Sequence, residues 1–266
     1  MSFEKEAAVG LAIEAGKAIM EVYQSPKAKS FETKEDNSPL TQADLSAHEV
    51  IVAGLQLIDA EIPIVSEEGR VGNPLESELA WLVDPLDGTK EFIKRNGMFT
   101  VNIALMRRKD SRWSPIFGVV HAPASQTTWV GGREHQAQKI TKEKSEQISV
   151  RKGPIGATRL VASGSHRNDR DEEFANSLGP HDLVRMGSSL KACAVADGSA
   201  DLYPRFGPTS CWDIAAAHAV VESSGGFVLD PGCKTLDYDL VGDVLNPFFL
   251  VSSTTNWNEI WSQNQD

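Results

Sequence analysis

Of 266 residues only three are cysteine, Cys193, Cys211 and Cys233, and no two stand at C-x-x-C spacing. So sparse and odd a set excludes a disulfide framework and a zinc knuckle, and fits a reducing compartment. No segment approaches the roughly 20 apolar residues of a membrane-spanning helix. The N-terminal Met1-Ser2-Phe3-Glu4-Lys5-Glu6 carries acidic residues in place of a secretion signal's apolar run. Positive charge is also short. Lys and Arg number 26 against 37 Asp and Glu, a net charge of −11, which excludes non-specific binding to nucleic acid. An anionic small molecule is admissible only where local cations or bound metal offset the acidic background. Internal repeats and low-complexity stretches are missing too. These absences predict a cytoplasmic protein with no transmembrane segment and no nucleic-acid partner. Monomer and homodimer both stay open, as does peripheral attachment at the inner face of the membrane.

What is present is ordinary globular material, 41% hydrophobic and 24% charged. At roughly 100–200 residues per domain, the length allows one large domain or two joined ones. Residues 3–24 read as a helix with Val9, Ile13, Gly16, Met20 and Tyr23 on one face, ended by Ser25-Pro26. Residues 34–40 read as a loop. A second helix spans about 42–60, with Leu45, His48, Val52 and Leu55 at helical spacing and Thr41-x-x-Asp44 as its capping box. Short apolar runs then predict strands at Ile62–Val65, Trp81–Val83, Phe99–Met106 and Ile116–Val120. Residues 131–147 read as a polar hairpin or loop. Beyond 155, strands near 160–162, 183–185, 201–205, 226–229 and 248–252 alternate with helices near 170–178, 188–197 and 213–224. The pattern predicts two α/β units joined near residue 150: 1–150, carrying most of the acidic site residues, and 151–266.

Three acidic segments each end an apolar run: Ile64-Val65-Ser66-Glu67-Glu68-Gly69, Trp81-Leu82-Val83-Asp84-Pro85-Leu86-Asp87-Gly88-Thr89, and Cys211-Trp212-Asp213. Pro85 biases Asp84 towards an extended conformation and Gly88 permits a tight turn. A loop there can aim two carboxylates and the Leu86 carbonyl into one small volume. Crowded carboxylates repel unless protons or cations intervene. Oxygen-only ligands select hard cations such as Mg²⁺, while zinc lacks its cysteine and histidine pattern. Each acidic residue also has a plainer role. Asp213 could be the N-cap of a helix beginning at Ile214, Asp44 the third residue of a capping box, and Glu67-Glu68 a solvated turn. Ser188 could cap its helix, Lys191 could lie on a solvated face, and Arg205 could pair with a nearby carboxylate.

Val83–Thr89 and Trp212-Asp213-x-Ala215-Ala216 resemble the two signature motifs of the inositol-monophosphatase superfamily. Asp84–Gly97, Gly187-Ser188-Ser189-Leu190-Lys191 and Leu202–Thr209 are more similar to its bisphosphate-nucleotidase branch, as is Glu91-Phe92 where inositol monophosphatases usually have Asn-Phe. The resemblance covers nearly the whole chain, and it implies an α-β-α-β-α sandwich. It further implies a Mg²⁺-dependent, lithium-sensitive phosphatase with two to three ions per site. Glu67, Asp84 and the Leu86 carbonyl would hold one ion, and Asp84, Asp87 and Asp213 a second. Glu67 would touch a third through water. Asp44 and Thr89 would orient and deprotonate the attacking water. His166, Ser188, Lys191 and Arg205 would contact the nucleotide, with Glu67, Leu86, Asp87, Gly88, Thr89 and Asp213 about its reacting phosphate. The implied substrate is adenosine 3',5'-bisphosphate, with phosphoadenosine phosphosulfate as a second. The competing readings are an inositol or sugar monophosphatase and a non-catalytic regulator on the same fold.

Overall fold

The computed structural model describes residues 2–25, 31–33, 39–153, 156–164 and 169–265. In chain order the elements begin with α1 (Ser2–Gln24), β1 (Phe31–Thr33), β2 (Pro39–Thr41) and α2 (Gln42–Ile58). Next come β3 (Ile64–Ser66), β4 (Gly69–Val71), β5 (Leu79–Asp87), α3 (Thr89–Ile93), β6 (Thr100–Lys109) and β7 (Arg112–Ala122). β8 (Thr127–Gly132), β9 (His135–Ile140) and β10 (Ser145–Gln147) complete the first half. The second half holds β11 (Thr158–Ser163), α4 (Asp169–Ser177), β12 (His181–Met186), α5 (Leu190–Ala196), β13 (Leu202–Arg205), α6 (Cys211–Ser223), β14 (Phe227–Leu229), β15 (Phe249–Ser252) and α7 (Asn258–Gln263).

Two sheets organise these elements, eight strands in the order β10-β9-β8-β7-β6-β5-β3-β4 and five in the order β12-β11-β13-β15-β14. Strand alternation sorts the side chains of the larger sheet into two cores. Trp81, Val83, Val101, Ile103 and Val119 join α1 and α2. Ala80, Leu82, Ala104, Met106 and Val120 join α5, α6 and the inner face of the smaller sheet. Leu160, Leu202 and Leu250 on that sheet's outer face meet Phe174 of α4 and Trp261 of α7. The layers therefore run α-β-α-β-α, as the resemblance implies. Helix α6 lies against β5–β8 of the large sheet and against β14 of the small one, so the inner core belongs to both halves of the chain.

Several expectations are corrected. The fully buried residues are Ala8, Ala12, Ala15 and Ile19 on α1 and Ala43, Ala47, Ile51 and Leu55 on α2. Of the predicted stripe on α1, Gly16 is buried and Val9, Ile13, Met20 and Tyr23 are half-buried; on α2, Leu55 is buried as expected and Leu45 is 39% exposed. Pro39–Thr41 is a strand paired with β1, where a loop was expected; residues 34–38 of that loop lie outside the described residues. β8, with all six residues buried, was missed; residues 135–147 form the antiparallel pair β9–β10, a hairpin as expected, and it joins the large sheet. A last helix, α7, follows the final strand.

Candidate active site

Asp84 and Asp87 stand on the end of β5, which runs on as far as Asp87 where a loop was expected at Asp84. Asp84 pairs with Asn102 and Asp87 with Thr100, so three steps along β5 match two along β6. One extra residue is thereby inserted, a β-bulge. In a regular strand, residues three apart face opposite sides. The bulge reverses that. Leu86 turns into the α1–α2 core, and Asp87 comes onto the same cleft wall as Asp84. Beyond it Gly88 takes φ 93°, and a Cβ there would meet the Met98 carbonyl oxygen at 3.0 Å, so glycine is required to start α3 at Thr89.

Glu67 lies in the turn between β3 and β4, its backbone N–H donating to the Val83 carbonyl at 3.1 Å, one residue before Asp84. Asp213 is the third residue of α6 and not its N-cap. That place belongs to Ser210, whose N–H donates to Asp213 Oδ2 at 3.0 Å. Asp44 holds the equivalent place in α2. Its Oδ2 accepts from Thr41 N at 2.8 Å and Thr41 Oγ1 at 2.6 Å, and its Oδ1 from Thr89 Oγ1 at 3.2 Å. Thr89 Oγ1 also lies 3.3 Å from the Leu86 carbonyl. The plainer reading of Asp44 thus holds, and the same carboxylate still reaches the site through Thr89.

These groups surround a cleft of about 610 Å³. Glu67, Asp84, Leu86, Asp87, Gly88, Thr89 and Asp213 line it together with Ser188, Lys191 and Arg205. Asp44 sits behind Thr89, 1% exposed. His166 falls among residues 165–168, outside the described residues. Burial pushes the Asp84 carboxyl well above its ordinary value, and Glu67, Asp87, Asp213 and Asp44 add repulsion. Asp213 is raised in the same way, by burial and then by Asp87 and Glu67. Asp87 is also raised by burial, with Lys191 and the Ser189 N–H opposing.

Lys191, in the same lining, is 6% exposed, which overturns its placement on a solvated face. Its Nζ donates to the Ser188 carbonyl at 2.7 Å and lies 5.2 Å above the Tyr203 ring. Burial lowers its pKa to about 8, against the pull of Asp87. Arg205 Nη2 donates to the Pro208 carbonyl at 2.8 Å, while Nε is buried without a partner. Ser189, and not Ser188, caps α5; Ser188 adopts φ 48°. Cys211 is buried at the start of α6 and its thiol is pushed up to about 12 by burial, so little reactive thiolate forms. Sequence reasoning missed Thr100, Asn102 and Ser189, which are buried beside the carboxylates. Thr100 and Asn102 are uncharged residues inside an apolar run and carry no signal of such a place, whereas Ser189 stands within the Gly187–Lys191 motif already noted.

The family model for the inositol monophosphatase family matches residues 2–259. The 3'(2'),5'-bisphosphate nucleotidase CysQ of Salmonella typhimurium is 46% identical over 246 residues, 91% of this chain and 96% of the relative. The protein of that name from Buchnera aphidicola is 39% identical over 249 residues, 91% of each chain. Among solved structures, CysQ from Bacteroides thetaiotaomicron superposes with a TM-score of 0.81 at 38% identity, covering 94% of this chain and 97% of that one. An inositol monophosphatase from Anabaena superposes at 0.77 with 22% identity, a likeness of fold alone. The match runs through both the bulged acidic strand end and the capping-box Asp213, and the chain belongs to the inositol monophosphatase family.

Proposed function

We propose that this chain removes the 3'-phosphate of adenosine 3',5'-bisphosphate, yielding AMP and phosphate, with Mg²⁺ bound at the acidic side of the cleft. One observation carries the reading: a single cleft is lined by mutually repelling buried carboxylates and also by Lys191 and Arg205. A monoester phosphate and its metal suit the carboxylates, and a second phosphate suits the Arg205 guanidinium. Its volume of about 610 Å³ lies within the usual range for small-molecule sites, roughly 300–1,000 Å³. The 46% identity to bisphosphate nucleotidases points the same way.

The donor set fits a hard cation. Glu67, Asp84, Asp87, Asp213 and the Leu86 carbonyl offer only oxygen, and their raised carboxyls favour any positive charge brought among them. Among the described residues, no three acidic, histidine or cysteine side chains enclose an ion by themselves. Water and substrate oxygens are needed to complete a shell, as Mg²⁺ commonly allows. Two to three ions, when bound, would offset phosphate charge and lower the pKa of water. Li⁺ would inhibit by displacing one of them.

The chain's own residues supply orientation. Thr41 occupies Asp44 Oδ2, leaving Oδ1 for the Thr89 hydroxyl. A threonine hydroxyl has one proton to give. Directed at Asp44, it leaves the Thr89 oxygen to accept a hydrogen bond from the attacking water; as the water's proton passes to that oxygen, the hydroxyl's own proton passes to Asp44 Oδ1, and α3 fixes the oxygen in the cleft. Arg205, held at Pro208, presents its remaining N–H groups to the non-reacting phosphate. A phosphate-release panel tests the assignment: adenosine 3',5'-bisphosphate, its 2',5' isomer, phosphoadenosine phosphosulfate and inositol 1-phosphate, each with and without Mg²⁺. The bisphosphate should lead by at least about tenfold in kcat/KM, the lower end of one charge-assisted phosphate contact. Preference for inositol 1-phosphate would transfer the assignment to a sugar monophosphatase. Release of no phosphate from any of them would leave a regulator.

A further inference from the structure

Asp87 and Asp213 come from different layers, the first from the end of β5 and the second from α6. One residue touches both. The Ser189 N–H donates to Asp87 Oδ2 at 2.6 Å, and the Ser189 hydroxyl donates to the Asp213 carbonyl at 2.5 Å. That hydroxyl has spent its single proton, so towards Asn102 it can only accept, and Asn102 Nδ2 lies 3.0 Å away. Asn102 Oδ1 accepts from Thr100 Oγ1 at 3.0 Å. The hydrogen bonds through Thr100, Asn102, Ser189 and the Asp213 carbonyl thus run in one consistent direction. Thr100, Asn102 and Ser189 are all at most 2% exposed, so these links are shielded from bulk solvent.

The placement follows from the strands. Asn102 lies opposite Asp84 and Thr100 opposite Asp87, the two pairs that bracket the bulge. Ser188, at φ 48°, turns the chain so that the next N–H points at Asp87. A non-glycine residue in that region is uncommon and needs surrounding contacts to hold it. The Ser188 hydroxyl meets Thr100 Oγ1 at 3.2 Å and its carbonyl accepts from Lys191.

We propose that Asn102 and Ser189 are positioning residues, which set the separation and aim of Asp87 and Asp213 so that both reach one metal ion. The proposal rests on the metal-dependent reading of the cleft. Neither residue touches the substrate in this assignment; both act through the carboxylates. Hydrogen-bond partners that orient metal ligands typically contribute about 10–100-fold in metal affinity or activity.

The test titrates Mg²⁺ calorimetrically into chelator-stripped, substrate-free protein. Ser189→Ala and Asn102→Leu should each weaken Mg²⁺ binding by about 10–100-fold, while KM for the bisphosphate at saturating Mg²⁺ stays near the wild-type value. Ser189→Thr keeps the hydroxyl and should recover most of the affinity. The double variant should lose little more than either single one, because a chain is cut equally by removing one link or two. Ser189→Ala removes a single oxygen and keeps the N–H to Asp87, so it carries the test even if Asn102→Leu does not fold. Wild-type Mg²⁺ affinity in folded Ser189→Ala, or losses that add in the double variant, would overturn the proposal. Wild-type protein that takes up no Mg²⁺ would instead overturn the metal reading beneath it.

Discussion

Asp84 and Lys191 share one cleft and are both nearly excluded from solvent, at 1% and 6% exposure, yet the fold treats their charges differently. Around Asp84 the neighbours that shift its pKa, Glu67, Asp87, Asp213 and Asp44, are all of the same sign, and each makes ionisation harder. Lys191 has a carbonyl on its ammonium, an aromatic ring below it and Asp87 as its main attraction. The carboxylates are electrostatically incomplete without added cations, whereas Lys191 is partnered from within and Arg205 keeps a buried Nε without a partner. The difference has a structural source. Strand ends at the edge of a rigid sheet can hold repelling groups together because many ladder bonds resist their separation. The α5 segment instead folds its cation back onto its own first turn.

Asp84→Asn tests the acidic side most severely. Metal-centred stabilisation of a transition state amounts to several kcal/mol, so turnover should fall roughly a thousandfold or more at 1.4 kcal/mol per factor of ten. The metal-free variant should melt no lower than wild type, since a repelling charge has gone. Near-normal turnover in folded Asp84→Asn would remove the metal reading.

Thr89→Ala should lower kcat by about a hundredfold, the lower end for a positioned acid–base group, with Mg²⁺ affinity nearly unchanged. A change confined to KM would move Thr89 to substrate binding.

The basic side should divide in two. Arg205→Ala should cost about 10–100-fold in kcat/KM for the bisphosphate and much less for a simple monophosphate, the range for one charge-assisted phosphate contact. Lys191→Ala should damage both substrates, because its partners Ser188 and Asp87 belong to the site's framework. Equal losses for Arg205→Ala on both substrates would erase the proposed distinction between the two sides.

The smallest effect is in stability. Asp84 and Asp213 have raised pKa values in the folded protein, so the unfolded chain releases those protons first as pH rises. Fewer protons on the unfolded state make the slope negative. Metal-free protein should therefore lose stability from the ordinary aspartate range up towards neutrality. Lys191, lowered to about 8, is charged in both states below that pH and adds no slope there; its contribution rises only above it. Mg²⁺ at a hundred times its Kd should add about 2.7 kcal/mol at pH 7, an increase in Tm of roughly 5–10 °C. A melting temperature that climbs between pH 5 and 7 without metal would contradict the mutual repulsion of the carboxylates.

By itself the sequence determined what depends on neighbours along the chain. Thr41-x-x-Asp44 specifies a capping box, and the structure contains it. The apolar run Trp81-Leu82-Val83 specifies a strand, and the structure buries it on both faces. The acidic segments at 67, 84–87 and 213 identified the acidic lining of the cleft, and the signature motifs identified the family. Only the tertiary structure decided what depends on approach from elsewhere. The bulge between Asp84 and Asp87 exists only as a mismatch with β6, so no property of β5 alone announces it. Ala8, Ala12, Ala15, Ala43 and Ala47 are fully buried on α1 and α2 while bulkier Val9, Ile13 and Leu45 are not, because what packs against each face decides its burial. Lys191 looks solvated until β13 and Tyr203 cover it. Asn102 and Ser189, 87 residues apart, become a single relay only when β6 and α5 are brought together. A hydrogen bond reaches about 3 Å, and nothing in the order of residues says which distant groups will come within that reach.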